Sequence, residues 1–299
     1  MKKQDYSRRD LLKLCGVTAG VSALSPVPCS IAAALSDPEK PNFRFAIASD
    51  LHFGQKETAF AENIPLLISR LNREKVDRGL DAVFLNGDIV HDSSTAYEAV
   101  KTNYLTKLNT TYYAIKGNHD YVDGKKGSAG ESWETIWGYP RNHVVSIKKL
   151  TFILADTSAQ RQASEYLPAD IDWLEEQLDA RKQDAAIFVF MHIAQRKPGV
   201  QGWPKFGVGL DNDEHAKAGE AVMTLLESYK NVRAVFHGHD HDSVSRYVSE
   251  KKPYFFDSHV GGSFGNRIGY RIVEIQADKS IATYQYNMQD SIVMNQHSL

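Results

Sequence analysis

Cysteine is nearly missing from this chain. Its 299 residues include two, Cys15 and Cys29, both within the first thirty positions. If that segment is removed, as its pattern predicts, no thiol remains. A cysteine nucleophile, a disulfide framework and a cysteine-ligated zinc site are then excluded. An excess of one charge is missing too: 35 Lys plus Arg stand against 37 Asp plus Glu, a formal net charge of −2. Without a basic footprint, no nucleic-acid-binding surface is expected. The apolar stretch from Leu14 to Leu24 is short and broken by glycine. A bilayer span takes roughly 20 apolar residues, so no stable transmembrane segment is expected in the mature chain. No repeat, low-complexity tract or linker divides the remainder. Hydrophobic residues at 42% and charged residues at 24% fit a folded globular protein that needs no covalent staple.

What the N-terminus does contain is an ordered set of export features. Lys2 and Lys3 are followed by Ser7-Arg8-Arg9-Asp10-Leu11-Leu12-Lys13, the apolar stretch, and Ala32-Ala33-Ala34. A basic region, a short apolar region and a small-x-small site describe a secretory signal. The paired arginines resemble a twin-arginine export signal. Residues 1–34 are therefore expected to be a signal peptide read by the twin-arginine machinery, delivering the protein to the periplasm or cell envelope. Pro28 before Cys29 fits a lipoprotein signal poorly. That route carries folded proteins, which suits a chain that loads metal as it folds.

After it, strand and helix patterns alternate. Residues 43–50, 81–88, 111–118, 186–192 and 232–239 read as buried strands. Helices are expected over 58–78, 94–108, from Pro168 to 181, and over 213–230. Residues 143–148 and 150–156 read as a hairpin over Lys148-Lys149, and 121–130 as a loop. The tail reads as four strands at 243–248, 253–257, 269–276 and 280–287. Alternation predicts a parallel α/β sheet and the tail adds antiparallel pairing, in one domain over 43–290.

Polar residues collect where the strands end. They are Asp50-Leu51-His52, Gly87-Asp88, Gly117-Asn118-His119-Asp120, His192, and Gly238-His239-Asp240-His241. Sites in open α/β sheets form beyond the carboxyl ends of strands, so these groups are placed to converge. Each alone has an ordinary reading as a turn residue or a hydrogen-bonded histidine. Five in order, each after an apolar strand, point to metal. Oxygen and imidazole donors without sulfur suit Mn, Fe or Zn. Seven candidate ligands are too many for one ion and enough for two divalent ions, which can clamp a transferring phosphoryl group.

These blocks resemble the calcineurin-like metallophosphoesterases, with the pattern D-x-H, G-D, G-N-H-[DE], H and G-H-x-H. The resemblance implies a four-layer α/β/β/α sandwich with two mixed β-sheets. It implies one ion held by Asp50, His52 and His241, a second by Asn118, His192 and His239, and Asp88 bridging them. It places His119 by the leaving group as general acid, with hydroxide held between the ions as nucleophile. Asp120 has two readings: it orients His119, or it caps the following turn.

The chain departs from some relatives of that pattern. The stretch Asp88-Ile89-Val90-His91-Asp92 lacks the D-x-x-D-R-G of protein Ser/Thr phosphatases. It also has His91 where purple acid phosphatases carry a ferric-binding tyrosine, so two divalent ions are expected. His91 pairs with His119, takes a metal position, or sits at the pocket mouth. The stretch 193–213 and the glycines after His259 supply candidate substrate contacts, Arg196 and Arg267 among them, with Trp203 and Phe206 as aromatic candidates. The expected activity is hydrolysis of a small phosphomonoester or phosphodiester. The alternatives are a cyclic-nucleotide or nucleotide-specific phosphodiesterase, and a non-catalytic, metal-stabilised envelope binding protein.

Overall fold

Along β1 (Phe43–Ala48), Phe43, Phe45 and Ile47 alternate with Ala46 and Ala48, and every residue is buried. A strand buried on both faces must lie between two layers. The computed structural model describes residues 41–120, 133–158, 163–200, 206–209, 212–241, 246–265 and 268–299. The expected signal peptide and the 121–130 loop lie outside the described residues.

The elements after β1 are α1 (Phe60–Asp77), β2 (Ala82–Asn86), α2 (Tyr97–Asn103), β3 (Tyr112–Ile115), α3 (Trp133–Trp137), β4 (His143–Ile147) and β5 (Leu150–Leu154). They continue with α4 (Ile171–Ala180), β6 (Ala186–Phe190), α5 (Asp213–Ser228), β7 (Val232–His237), β8 (Arg246–Ser249), β9 (Lys252–Phe256), β10 (Gly269–Ile275), β11 (Ile281–Asn287) and β12 (Ile292–Ser298). Two six-stranded sheets result, in the orders β12-β11-β10-β1-β2-β3 and β4-β5-β6-β7-β9-β8. Both are mixed. In the first, β1, β2 and β3 are parallel and β10 to β12 antiparallel. In the second, β5, β6, β7 and β9 are parallel, with antiparallel β4 and β8 at the edges.

Three apolar layers hold this together. Phe45, Phe84, Phe152, Phe188, Phe190 and Phe236 pack between the sheets. Ala46, Val83 and Leu85, on the opposite face of the first sheet, meet Ile64, Leu67 and Leu71 of α1 and Trp133 and Trp137 of α3. Ile187, Val189 and Val235 of the second sheet meet Leu174 and Leu178 of α4 and Val222 and Leu226 of α5. The fold is the expected α/β/β/α sandwich. Aromatic rings dominate the middle layer, where one Phe→Ala costs roughly 3–5 kcal/mol.

Several boundaries differ from the sequence reading. The 94–108 helix is broken into two 3₁₀ turns, Ser94–Ala96 and Leu105–Lys107, around the short α2. The helix expected from Pro168 starts at Ile171, because the Asp170 side chain accepts the Trp173 N–H as its cap at 3.1 Å. The tail has a further strand, β12, past residue 290. It also divides between the sheets: β9 joins the second sheet parallel to β7, while β10 to β12 join the first. At the amino end of β1, Arg44 is buried at 1% exposure. Its guanidinium donates to Glu274 at 2.9 Å, the Gly79 carbonyl at 3.1 Å, Glu74 at 2.6 Å and the Tyr284 hydroxyl at 3.0 Å. No helix among the described residues is long and apolar enough to cross a membrane.

Candidate metal centre

The carboxyl ends of the parallel strands of both sheets meet at one crevice. Asp50 and His52 follow β1, Asp88 follows β2, Asn118 and His119 follow β3, His192 follows β6, and His239 and His241 follow β7. Left-handed backbone turns these residues inward: φ is 55° at Asp50, 44° at His52, 51° at Asp88 and 66° at His239. Such conformations cost non-glycine residues about 1–3 kcal/mol each, and they cluster where geometry serves a site. The neighbouring glycines permit close approach. A Cβ on Gly87 would lie 2.2 Å from His192 Nδ1, and one on Gly238 would lie 2.0 Å from Ser49 Oγ.

Hydrogen bonds orient the donors. The Asn86 carbonyl takes up Nδ1 of His192 at 2.6 Å and the Ser263 carbonyl takes up Nδ1 of His241 at 2.9 Å, so each ring's Nε2 is the nitrogen left for the crevice. The His239 amide donates to both Asp50 oxygens at 3.1 Å, and the His119 amide donates to Asp88 Oδ1 at 2.7 Å. Asn118 Nδ2 donates to the Ala163 carbonyl at 3.0 Å, freeing its oxygen. His241 Nε2 lies 3.1 Å from Asp50 Oδ1, and His192 Nε2 lies 3.2 Å from Asp88 Oδ2. His192 Nε2 and Asp50 Oδ1, from different sheets, are 3.8 Å apart.

Three groups of donors emerge, one of them His52, His91 and His119, which contains no carboxylate. The donor atoms of Asp50, His52 and His241 all lie within 4.8 Å of one another, and so do those of Asp88, His192 and His239. Three buried atoms of the crevice, Asn118 Oδ1, His192 Nε2 and His239 Nε2, have no hydrogen-bond partner among the described residues. Leaving such groups unpaired costs roughly 1–3 kcal/mol each unless something else binds them. Burial alone would raise the Asp50 carboxyl, but His241 and His192 hold it well below its ordinary value. Burial would likewise raise Asp88, and His192 and His119 hold it down. Burial would lower His192, yet Asp88 and Asp50 push it up to about 10. Burial takes His239 down to about 4 and His52 down to about 3. Two buried carboxylates thus draw positive charge into the crevice, and neutral imidazoles stand ready as donors. Divalent cations fit this oxygen and nitrogen set on all three counts.

His119 lines the pocket beside this cluster, and its Nδ1 lies 2.6 Å from Asp92 Oδ1. The sequence reading gave Asp92 no role. Its signal was present but displaced: the pattern sought an acid three residues after Asp88, and Asp92 lies four after. Its left-handed φ of 56° swings the carboxylate toward His119, while its own amide donates to the His119 carbonyl at 2.9 Å. Asp120 follows neither of its two readings, since among the described residues it meets neither His119 nor the turn that follows it. Its carboxylate accepts the amides of Ile89 at 3.1 Å, Val90 at 2.9 Å and Gly117 at 2.9 Å. It therefore braces the Asp88 loop. Burial, then the Asp88 charge, pushes it up to about 6. His91 stacks on His119 at 4.6 Å, and its Nδ1 lies 3.0 Å from His52 Nδ1.

The pocket over the cluster has a volume of about 220 Å³ and includes Tyr166, Phe206, Ser263 and Phe264 in its rim. Arg196, a candidate substrate contact, is not among its lining residues. Its backbone packs on α5 at Gly219, where a Cβ would lie 3.3 Å from the Arg196 nitrogen. Arg267 and Trp203 lie outside the described residues. Tyr166 and Phe264 had no signal in the sequence, because nothing local ties them to strand ends far away in the chain.

The chain is similar to known proteins in sequence and in fold. The family model for calcineurin-like phosphoesterases matches residues 43–243. A probable cyclic nucleotide phosphodiesterase of Psychrobacter arcticus is 25% identical over 183 residues, 56% of this chain and 59% of that protein. A probable glycerophosphodiester phosphodiesterase of Arcobacter nitrofigilis is 26% identical over 165 residues, 54% of this chain and 56% of that protein. The chain thus spans less than two thirds of the length of either relative. Among solved structures, a dimetal phosphatase from Danio rerio aligns with a TM-score of 0.60 at 14% identity, covering 86% of this chain and 98% of that one. A purple acid phosphatase of yellow lupin aligns with a TM-score of 0.59 at 15% identity, covering 86% of this chain and 53% of that one. These two share the fold. The family match runs from the first residue of β1 through the last of the clustered histidines, and on that extent the chain belongs to the calcineurin-like phosphoesterase family.

Proposed function

We propose that this chain is a metal-dependent phosphodiesterase, exported by the twin-arginine route to the periplasm or cell envelope. The observation that carries the activity is the convergence of seven candidate ligands, with Asn118 Oδ1 and His239 Nε2 buried and unpartnered among the described residues. Asp50, His52 and His241 would hold one divalent ion, and His192 and His239, with Asn118 and Asp88, would hold a second. Two such ions would supply Lewis acidity, lowering the pKa of water and neutralising phosphoryl charge.

The remaining work falls to the chain itself. Asp92 holds Nδ1 of His119, which fixes the ring and leaves Nε2 to deliver a proton to the departing alkoxide. General acids of this kind contribute about 10²–10⁴-fold. His91 stacks on the His119 ring and limits its rotation. Asp120 keeps the Asp88 loop in its left-handed turn. Both curated relatives are named as phosphodiesterases. Export rests on the sequence from Lys2 to Ala34.

The test is metal content measured beside hydrolysis of bis(4-nitrophenyl) phosphate and 4-nitrophenyl phosphate in Mn²⁺. Two ions per chain with faster diester turnover are expected. Faster monoester turnover would remove the diester reading. Two ions per chain with no turnover of either ester would leave the non-catalytic, metal-stabilised binding protein, and fewer than one ion per chain would end the metal centre itself. Fractionation of expressing cells, with and without Arg8→Lys plus Arg9→Lys, tests export: the variant is expected to stay in the cytoplasm.

A further inference from the structure

Phe264 is 57% exposed, the one aromatic among the exposed large hydrophobic residues described. Its backbone is left-handed, with φ at 50°. An exposed ring on a strained backbone is doubly unfavourable unless something compensates it. The loop around it is held firmly. Gln55 Nε2 donates to Ser263 Oγ at 3.1 Å, the Ser263 amide donates to Gln55 Oε1 at 2.9 Å, and the Ser263 carbonyl meets His241 Nδ1 at 2.9 Å. Gly265 follows so closely that a Cβ there would lie 2.8 Å from His241 Cβ. The Phe264 ring is stacked on His241, with centroids 4.8 Å apart and planes 30° apart. Against the second histidine of the same motif, His239, pack Tyr166 at 4.7 Å and Phe206 at 6.3 Å, both edge-on. All three aromatics line the pocket that holds Asp88 and His119.

We propose that Phe264 and Phe206 form the aromatic walls of a subsite for a planar ring on the alcohol portion of the ester. The substrate is then a diester bearing an aryl group or a nucleobase, not one of aliphatic alcohols alone. This rests on the phosphodiesterase reading above. Aromatic walls reward a ring through stacking and apolar burial, and give a polyol little. Two of the polar rim groups, Gln55 and Ser263, already bond to each other. A volume of about 220 Å³ is below the roughly 300–1,000 Å³ of whole-ligand sites, so it encloses a phosphoryl group and one ring-sized substituent. The pinned, strained loop is set before binding, which removes ordering cost from the encounter.

Phosphinates test the subsite without turnover, because they carry the single charge of a diester and neither P–C bond is cleaved. Calorimetric binding to the Mn²⁺-loaded full chain is compared for benzyl(methyl)phosphinate, 2,3-dihydroxypropyl(methyl)phosphinate and 2-(trimethylammonio)ethyl(methyl)phosphinate. The benzyl compound is expected to bind about ten-fold tighter than either of the others. Phe264→Ala is expected to bring the three within about two-fold, and Phe264→Tyr to restore the preference. The proposal is overturned if the dihydroxypropyl or trimethylammonio compound binds as tightly as the benzyl one. It is also overturned if the ring preference survives Phe264→Ala combined with Phe206→Ala, or if no phosphinate binds. Its fate is separable from that of the activity. Diester turnover with no ring preference ends the subsite alone. A ring preference in a protein that hydrolyses no phosphoester supports the subsite and ends the hydrolase.

Discussion

Arg44 and Asp50 stand at opposite ends of the same strand, each only 1% exposed, and they are treated in opposite ways. Around Arg44 the protein completes its own polar network: guanidinium donors meet two glutamates, a carbonyl and a tyrosine hydroxyl. Around Asp50 it stops short, leaving Asn118 Oδ1 and His239 Nε2 unpartnered among the described residues and two carboxylates side by side. Buried polar groups are nearly always satisfied in native proteins. A cluster that satisfies itself holds the sheet to its helix and loop. A cluster whose unpartnered donors converge with two carboxylates from several strand ends is fitted to a cation.

The comparison breaks most visibly at Asp88. Asp88→Ala is expected to reduce diester turnover to background and the metal content below two ions per chain, with the metal-free fold retained. Two tightly held ions with full turnover would show that Asp88 joins nothing. At the other end, Arg44→Ala is expected to cost about 3–5 kcal/mol in urea unfolding, because Glu74 and Glu274 lose their buried cation. Its folded fraction should still take up two ions. A loss under 1 kcal/mol would mean that the network contributes little beyond packing.

A smaller effect is expected at Asp92. Asp92→Asn should lower turnover about 100-fold with metal content intact, and more for esters with poor leaving groups. Because Asp92 acts through His119, the double variant with His119→Ala should be scarcely slower than His119→Ala alone. Additive losses would separate the two residues.

The last test sets two buried histidines against each other. His192, beside two carboxylates, is pushed up to about 10, whereas burial takes His143 on β4 down to about 4. The folded state therefore keeps His143 neutral while the unfolded chain takes up a proton below about 6.5. Its share of stability is present at pH 7 and is lost as pH falls from 6.5 toward 4, by about 2 kcal/mol at pH 5. His143→Phe, which keeps a ring against Tyr139, should flatten the decline of unfolding free energy between pH 7 and pH 5 by about that amount. An unchanged slope would place the pH dependence elsewhere.

Much of the sandwich was legible in the sequence. Each parallel strand is a short apolar run closed by a polar residue, and periodicity exposed α1, α4 and α5. The edges were harder to read. Ile292–Ser298 is mostly exposed, so β12 lacks an apolar signature and is a strand through pairing with β11. β9 follows antiparallel β8 yet lies parallel to β7, a choice made by the sheet and not by its own residues. The site divides in the same manner. The seven candidate ligands were named from residue type and strand-end position, and the structure brings them together. The sequence left the partner of His119 open, with Asp120 as one of two readings, and the left-handed turn at Asp92 supplies the carboxylate instead. Of the weak substrate contacts, Arg196 packs along α5, while the rim is formed by Phe264, Phe206 and Tyr166.

By itself the sequence determined the donor chemistry, its order along the chain and the alternation of strands with helices. Those depend on residue type and short-range periodicity, which are local properties. Only the tertiary structure decided which carboxylate holds His119, which rings wall the pocket, and how the tail is shared between two sheets. Those depend on backbone turns of a few residues and on contacts between segments as far apart as Gln55 and Ser263, where no local preference specifies the partner.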